Sequence, residues 1–125
     1  MKVMKFGGIS LGTSDAIEKV KDIIGAENQP IVIVVSALHG VTEQLLEAAN
    51  HALNNDKTYK TIFDNIQNYH NQIIEDTIEP NKLKKDTLQE IQPFLDDLRN
   101  ILRGVFLIGD LSQKTSDKIV SYGER

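Results

Sequence analysis

Pro30-Ile31-Val32-Ile33-Val34-Val35-Ser36 is the stretch on which the fold turns. Its run of β-branched residues is continuous rather than alternating, so it predicts a strand buried on both faces, the mark of a central parallel strand. Toward the N-terminus, Lys2-Val3-Met4-Lys5-Phe6 is a second strand-like run, closed by Gly7-Gly8. Between the two runs, Ala16, Ile17, Val20, Ile23 and Ile24 recur at helical spacing, with Thr13 or Ser14 available as N-cap and Gly25 as a stop. Strand, helix, strand is a βαβ unit. Its right-handed crossover sets the carboxyl ends of both strands on the same side of the sheet, so the loops after Phe6 and after Val35 are expected to be neighbours.

Toward the C-terminus the pattern becomes helical. Leu45, Leu46, Ala49, Ala52 and Leu53 share one face; after Asn54-Asn55-Asp56 the next face carries Ile62, Ile66, Tyr69 and Ile73. Glu79-Pro80-Asn81 ends that helix and offers Asn81 as cap for a third, with Leu83, Leu88, Ile91, Leu95, Leu98, Ile101 and Leu102, which Pro93 should kink or divide. Val105 to Ile108, bracketed by Gly104 and Gly109, is too short to assign. Ser112 caps a last helix that runs through Ile119 and Val120 to Gly123-Glu124-Arg125 without a terminator, as in a truncated chain. Phe63, Tyr69, Phe94 and Phe106 are expected in the core. The fold class is α/β: a βαβ unit followed by several helices, in one domain over residues 1–125.

Composition narrows the function. The 125 residues are 40% hydrophobic and 26% charged, an ordinary globular balance. No apolar run is long enough to span a membrane, and Met1 to Phe6 lacks the apolar stretch of a signal peptide, so a cytoplasmic protein without a membrane partner is expected. Without cysteine there is no disulfide, thiolate metal site or cysteine nucleophile. A net charge of −4 with dispersed lysines argues against nucleic acid. His39, His51 and His70 lack metal-ligand spacing, so no metal site built by the protein is expected. Asp96-Asp97 and Lys82, Lys84 and Lys85 read as solvated helix faces.

Three constellations can carry chemistry. In Lys5-Phe6-Gly7-Gly8-Ile9-Ser10, paired glycines after a strand let successive N–H groups converge on an anion, and Lys5 offers a charge for phosphoryl transfer. A plain tight turn is the competing reading, because neither the Walker nor the dinucleotide pattern is present. Ser36-Ala37-Leu38-His39-Gly40-Val41-Thr42 follows the buried strand, where α/β sheets bind ligands. Ser36 and Thr42 suit a small carboxylate there, and Thr42 equally suits a helix cap. In Ser121-Tyr122-Gly123-Glu124-Arg125 a glycine inside a helix points to close packing or ligand approach. Glu124 is then either a partner for a ligand ammonium or a solvated carboxylate.

The three motifs in this order strongly resemble the aspartokinase family, over the whole chain. Ile101 to Leu107 and the closing Gly123-Glu124-Arg125 look most like the forms fused to homoserine dehydrogenase. The resemblance implies the N-terminal part of the amino acid kinase fold, a three-layer αβα sandwich. It also implies transfer of the ATP γ-phosphoryl group to the side-chain carboxylate of L-aspartate, with Mg2+ arriving on the nucleotide and a homo-oligomeric full-length protein. Lys5 would be catalytic; Lys5, Gly7, Gly8 and Ser10 would hold the phosphates; Ser36, Thr42 and Glu124 would surround aspartate, with Glu124 at its α-ammonium. Ile9 stands where the family usually has threonine and removes a hydroxyl from the loop. The family's adenine pocket, its critical aspartate and its ACT domains lie beyond the matched region, so residues 1–125 alone are expected to be inactive. A related kinase with another acceptor, or a stand-alone binding or oligomerisation module, is the alternative.

Overall fold

The structure is a computed structural model that describes residues 1–125. Strand β1 (Lys2–Phe6) leads through a 3-10 turn, Gly8–Leu11, to helix α1 (Ser14–Gly25) and strand β2 (Ile31–Val35). Thr13 begins α1, its hydroxyl oxygen accepting the Ala16 N–H at 3.1 Å. The strands pair in parallel, Lys2 opposite Ile31 through Phe6 opposite Val35. The predicted βαβ unit is therefore present in the predicted register of ends.

Four helices follow: α2 (Val41–Leu53), α3 (Thr58–Thr77), α4 (Lys82–Ile108) and α5 (Gln113–Ser121). Asn81 and Ser112 cap α4 and α5 by accepting the N–H groups of Leu83 at 2.9 Å and Thr115 at 3.1 Å. Helix α2 is the hub, packing against α3, α4 and α5. Its buried Ala48, Ala49 and Ala52 let neighbouring helices approach, while Val41, Leu45, Ile66, Leu98, Leu102 and Ile119 fill the centre. A smaller cluster of Phe6, Leu11 and Val20, with Met4, Ile17 and Ile24 beside it, fastens α1 to β1. Leu38 touches both clusters and joins the sheet unit to the helical body.

Five expectations need correction. β2 is not buried on both faces: Val32 to Val35 are all exposed, because β1 is its only strand neighbour and no helix covers it. Pro93 does not divide α4, which is assigned as one helix through it, and Gly104 and Val105 to Ile108 form its last turns, closed by Gly109 at φ 72°. Proline lacks a helical N–H, but it lies on the exposed side, where the carbonyl it leaves unpaired meets water. Phe94, next to it, is exposed rather than core, whereas Phe63 is buried and Tyr69 and Phe106 are half-buried. The chain does not end inside a helix. α5 closes at Ser121, and Gly123 and Glu124 form a turn in which their N–H groups donate to Val120 and Ser121. Finally, Thr42 does not cap α2; Gly40 holds that position at φ 81°. No helix is long and apolar enough to cross a membrane.

Candidate functional site

The site grows from the parallel register. With Phe6 opposite Val35, both strands end together, and the Ser36 N–H donates to the Phe6 carbonyl at 3.3 Å. The two following loops then touch. A Cβ on Gly8 would lie 3.4 Å from both the Ala37 carbonyl oxygen and the His39 Cα, and one on Gly12 would lie 3.0 Å from the His39 Cβ. Gly8 thus lets the second loop pack against the first. Gly7 differs: no atom lies within 4 Å of where its Cβ would be, and its N–H has no backbone acceptor. The open side of the loop is at Gly7, and a group approaching there meets a free donor and no side chain.

Lys5 is exposed, on the strand face opposite Met4 and Phe6, and lies across the ladder from Val34. It forms no ion pair, unlike Lys2, which binds Glu27 at 2.6 Å. Its ammonium is available to a ligand at the sheet's carboxyl end. Ile9 and Ser10 are exposed in the 3-10 turn, Ile9 at 81%. An apolar side chain held in water contributes nothing to the core.

Ser36 is half-buried and donates its hydroxyl to the Ala37 carbonyl at 3.2 Å. Thr42 is half-buried in the first turn of α2. Because Gln44 makes the first helical bond, to Gly40, the N–H groups of Thr42 and Glu43 have no acceptor in the backbone, as is general for first-turn donors. An anion near Thr42 would meet these donors and the positive end of the helix.

Glu124 reaches the same region through Gly123. A Cβ at Gly123 would be 3.2 Å from Leu45 Cδ1, 3.3 Å from the Ala37 Cβ and 3.4 Å from Val41 Cγ1. The glycine therefore seats the closing turn directly on the start of α2 and on the loop after β2. A cavity of about 370 Å³ results, with Ser36, Tyr122, Glu124 and Arg125 at its polar mouth and Leu45, Ile66 and Leu95 among its apolar walls. Ser36 and Glu124 share it. Thr42 adjoins it through Val41; Lys5, within β1, and Gly7, Gly8 and Ser10, beyond its end, do not line it. The Arg125 guanidinium lies 5.0 Å over the Tyr122 ring.

Tyr69 belongs to the site although its spacing reads only as core. Its hydroxyl donates to the Gly12 carbonyl at 2.6 Å, tying the glycine loop to α3. Burial pushes the phenol's pKa up, which keeps it a donor. The available signal was chemical: a tyrosine on an apolar stripe carries a hydroxyl that must find a partner. His39, whose backbone lies against Gly8 and whose Cβ lies against Gly12, has no such signal.

Known proteins resemble the chain over nearly all of its length. The profile of the Amino acid kinase family matches residues 1–125. The bifunctional aspartokinase/homoserine dehydrogenase 1 of Zea mays is 29% identical over 98% of the chain, and the aspartokinase of Candida albicans 27% over 98%. The chain spans 13% of the first and 24% of the second. A crystal structure of E. coli aspartokinase III in complex with aspartate and ADP superposes with a TM-score of 0.80 at 27% identity, over 98% of this chain and 26% of that one. The βαβ unit and its helices are thus the N-terminal part of the amino acid kinase fold.

Proposed function

Since the chain belongs to the amino acid kinase family, we propose that it is the N-terminal portion of a longer aspartate kinase, which transfers the γ-phosphoryl group of ATP to the side-chain carboxylate of L-aspartate to give 4-phospho-aspartate. The observation that carries this reading is the contact between the Gly7-Gly8 loop and the Ser36 to Gly40 loop at the shared carboxyl end of β1 and β2. The contact supports the reading because in-line transfer between two bound anions requires their binding loops to be neighbours.

The residues fit these groups. Gly7 presents a free N–H and open space to a phosphate, Gly8 and Ser10 complete the turn, and the unpaired Lys5 ammonium offsets charge that develops on the transferring group. ATP supplies the phosphoryl group, with Mg2+ carried on its phosphates. Ser36, with the free N–H groups of the Thr42 turn, suits the carboxylates of aspartate. Glu124 opposes its α-ammonium from the mouth of the cavity. The E. coli neighbour was crystallised with aspartate and ADP, which supports the same pair of ligands here. Residues 1–125 alone are inactive in this reading, and the longer protein is a cytoplasmic homo-oligomer.

The test uses the longer protein. Replacing Lys5 with glutamine should lower kcat with aspartate by about 10²-fold or more while changing the KM for aspartate little, because the charge acts on the transition state. Glu124→Gln should instead raise the KM for aspartate. Turnover with glutamate in place of aspartate, or an unchanged kcat in the Lys5 variant, would refute the assignment.

A further inference from the structure

We propose that the groove between the start of α3 and the last turns of α4, away from the strand ends, is a second binding site, and that it takes a small organic anion with a flat apolar body. The cavity there measures about 480 Å³, within the range of small-molecule sites. Its floor is aromatic: Tyr59 and Phe106 lie with ring centroids 5.3 Å apart, and Phe63 is buried beside them. Its rim is basic, with Lys60, Arg99 and Arg103 against the single carboxylate of Asp64. In a chain of net charge −4 this is a local reversal of sign.

The arginines differ in a way that suits a binding site. Arg99 is held in place, its guanidinium 4.9 Å over the Phe63 ring, with single bonds to Gln67 at 3.1 Å and Asp96 at 3.3 Å. Two of its five N–H donors are thereby used, and the rest remain for a ligand. Arg103, one helical turn further along the same face, has no ion pair or side-chain hydrogen bond, and neither has Lys60. The walls are fixed, because Asn55 donates to the Phe106 carbonyl at 3.2 Å and ties the end of α4 to the turn before α3. A planar guanidinium beside two aromatic rings tilted 39° to one another matches a carboxylate attached to an aromatic ring: the charge meets the fork of Arg103 and the ring packs against the exposed edge of Phe106 and Tyr59.

The probe is 2-naphthoate, titrated into the ¹⁵N-labelled chain and followed by amide chemical shifts, with 2-naphthylmethanol as the uncharged control. Saturable shifts are expected at residues 59–64 and 99–107, with the alcohol binding about tenfold more weakly, the loss expected of one charge-assisted contact. Arg103→Ala should weaken 2-naphthoate by a similar factor and leave the alcohol unchanged. Arg103 is exposed, so the variant keeps the fold; an unchanged spectrum elsewhere confirms it. Three results would overturn the proposal: shifts confined to the cavity of Ser36 and Glu124, equal affinity for acid and alcohol, or shifts at residues 99–107 that depend on protein concentration alone, which would assign the face to a second copy of the chain.

Discussion

Gly123 shows how one missing side chain can shape a cavity. Its missing side chain is what lets the closing turn rest on Leu45, Ala37 and Val41, and that contact holds Glu124 at the cavity mouth. A methyl group at 3.2 to 3.4 Å from three packed atoms must displace them. Gly123→Val should therefore cost about 1–3 kcal/mol, the usual penalty for overpacking, as measured by urea denaturation. A variant as stable as the parent would show that the turn swings free of α2. From sequence, the residue's purpose was legible and its place was not. Close packing follows from glycine beside apolar neighbours, but the turn after Ser121 leaves no proline or αL glycine as a signal, since Tyr122 closes α5 in right-handed geometry. Lys5 and the paired glycines are legible as a strand end and the turn that follows it, which is where β1 stops and the 3-10 turn begins. Tyr69 was half-read. Its stripe position announces burial, while its bond to Gly12 depends on how α3 lies against a loop 57 residues away in the chain.

Elements were legible where local chemistry ends them. Thr13, Asn81 and Ser112 each accept a first-turn N–H, and each was identifiable as a cap. The turn between α2 and α3 works similarly through Asp56. The hydroxyl and N–H of Thr58 and then the imidazole of His51, 2.7 Å away, hold the Asp56 carboxyl down from the ordinary 3.8 to about 2. A depressed carboxyl contributes stability that is present above its unfolded value and lost as pH falls through its folded one. Thermal midpoints should thus fall more steeply for the parent than for Asp56→Asn between pH 4 and 2, and run parallel above pH 5. Identical acid limbs would dispose of the idea. Of the two outcomes expected at Pro93, a kink or a division, division does not occur, because the rule that proline breaks helices weighs the local loss alone. Leu95, Leu98, Leu102 and Val105 beyond it, and Ile91 before it, pack on the same core and hold the helix together through the defect. That defect is still a cost. Pro93→Ala should raise stability by roughly 1–3 kcal/mol in urea denaturation, since the exposed position has no packing to lose.

At the scale of the molecule, two parts of unequal completeness are joined. The helical body has a closed core, whereas the sheet has two strands, a free edge on each, and apolar residues facing water. Isolated two-stranded sheets are marginal, and here α1, Leu11 and Leu38 support the pair. The run Ile31 to Val35 reads as a strand buried on both faces, and the structure leaves Val32 to Val35 exposed because no further layer among the 125 residues covers them. The consequence is physical and testable. Val32 and Val34 are 44% and 43% exposed, and by the alternation of side chains they share a face with Val3, which is 64% exposed. Unpaired strand edges beside such a face template association with another chain. The 125-residue chain should therefore self-associate as its concentration rises in sedimentation velocity, and the double variant Val32→Lys, Val34→Lys should stay monomeric with unchanged helical circular dichroism, because neither side chain belongs to the buried clusters. Lys5 already stands on this face, so association should weaken further at low salt, where repulsion between ammonium groups is least screened. If the parent chain sediments as a monomer throughout, the exposed sheet is tolerated in water and the completeness of the helical body alone sustains the fold; if both proteins associate, the contact lies elsewhere, and the groove of Arg99 and Arg103 becomes the surface to mutate next.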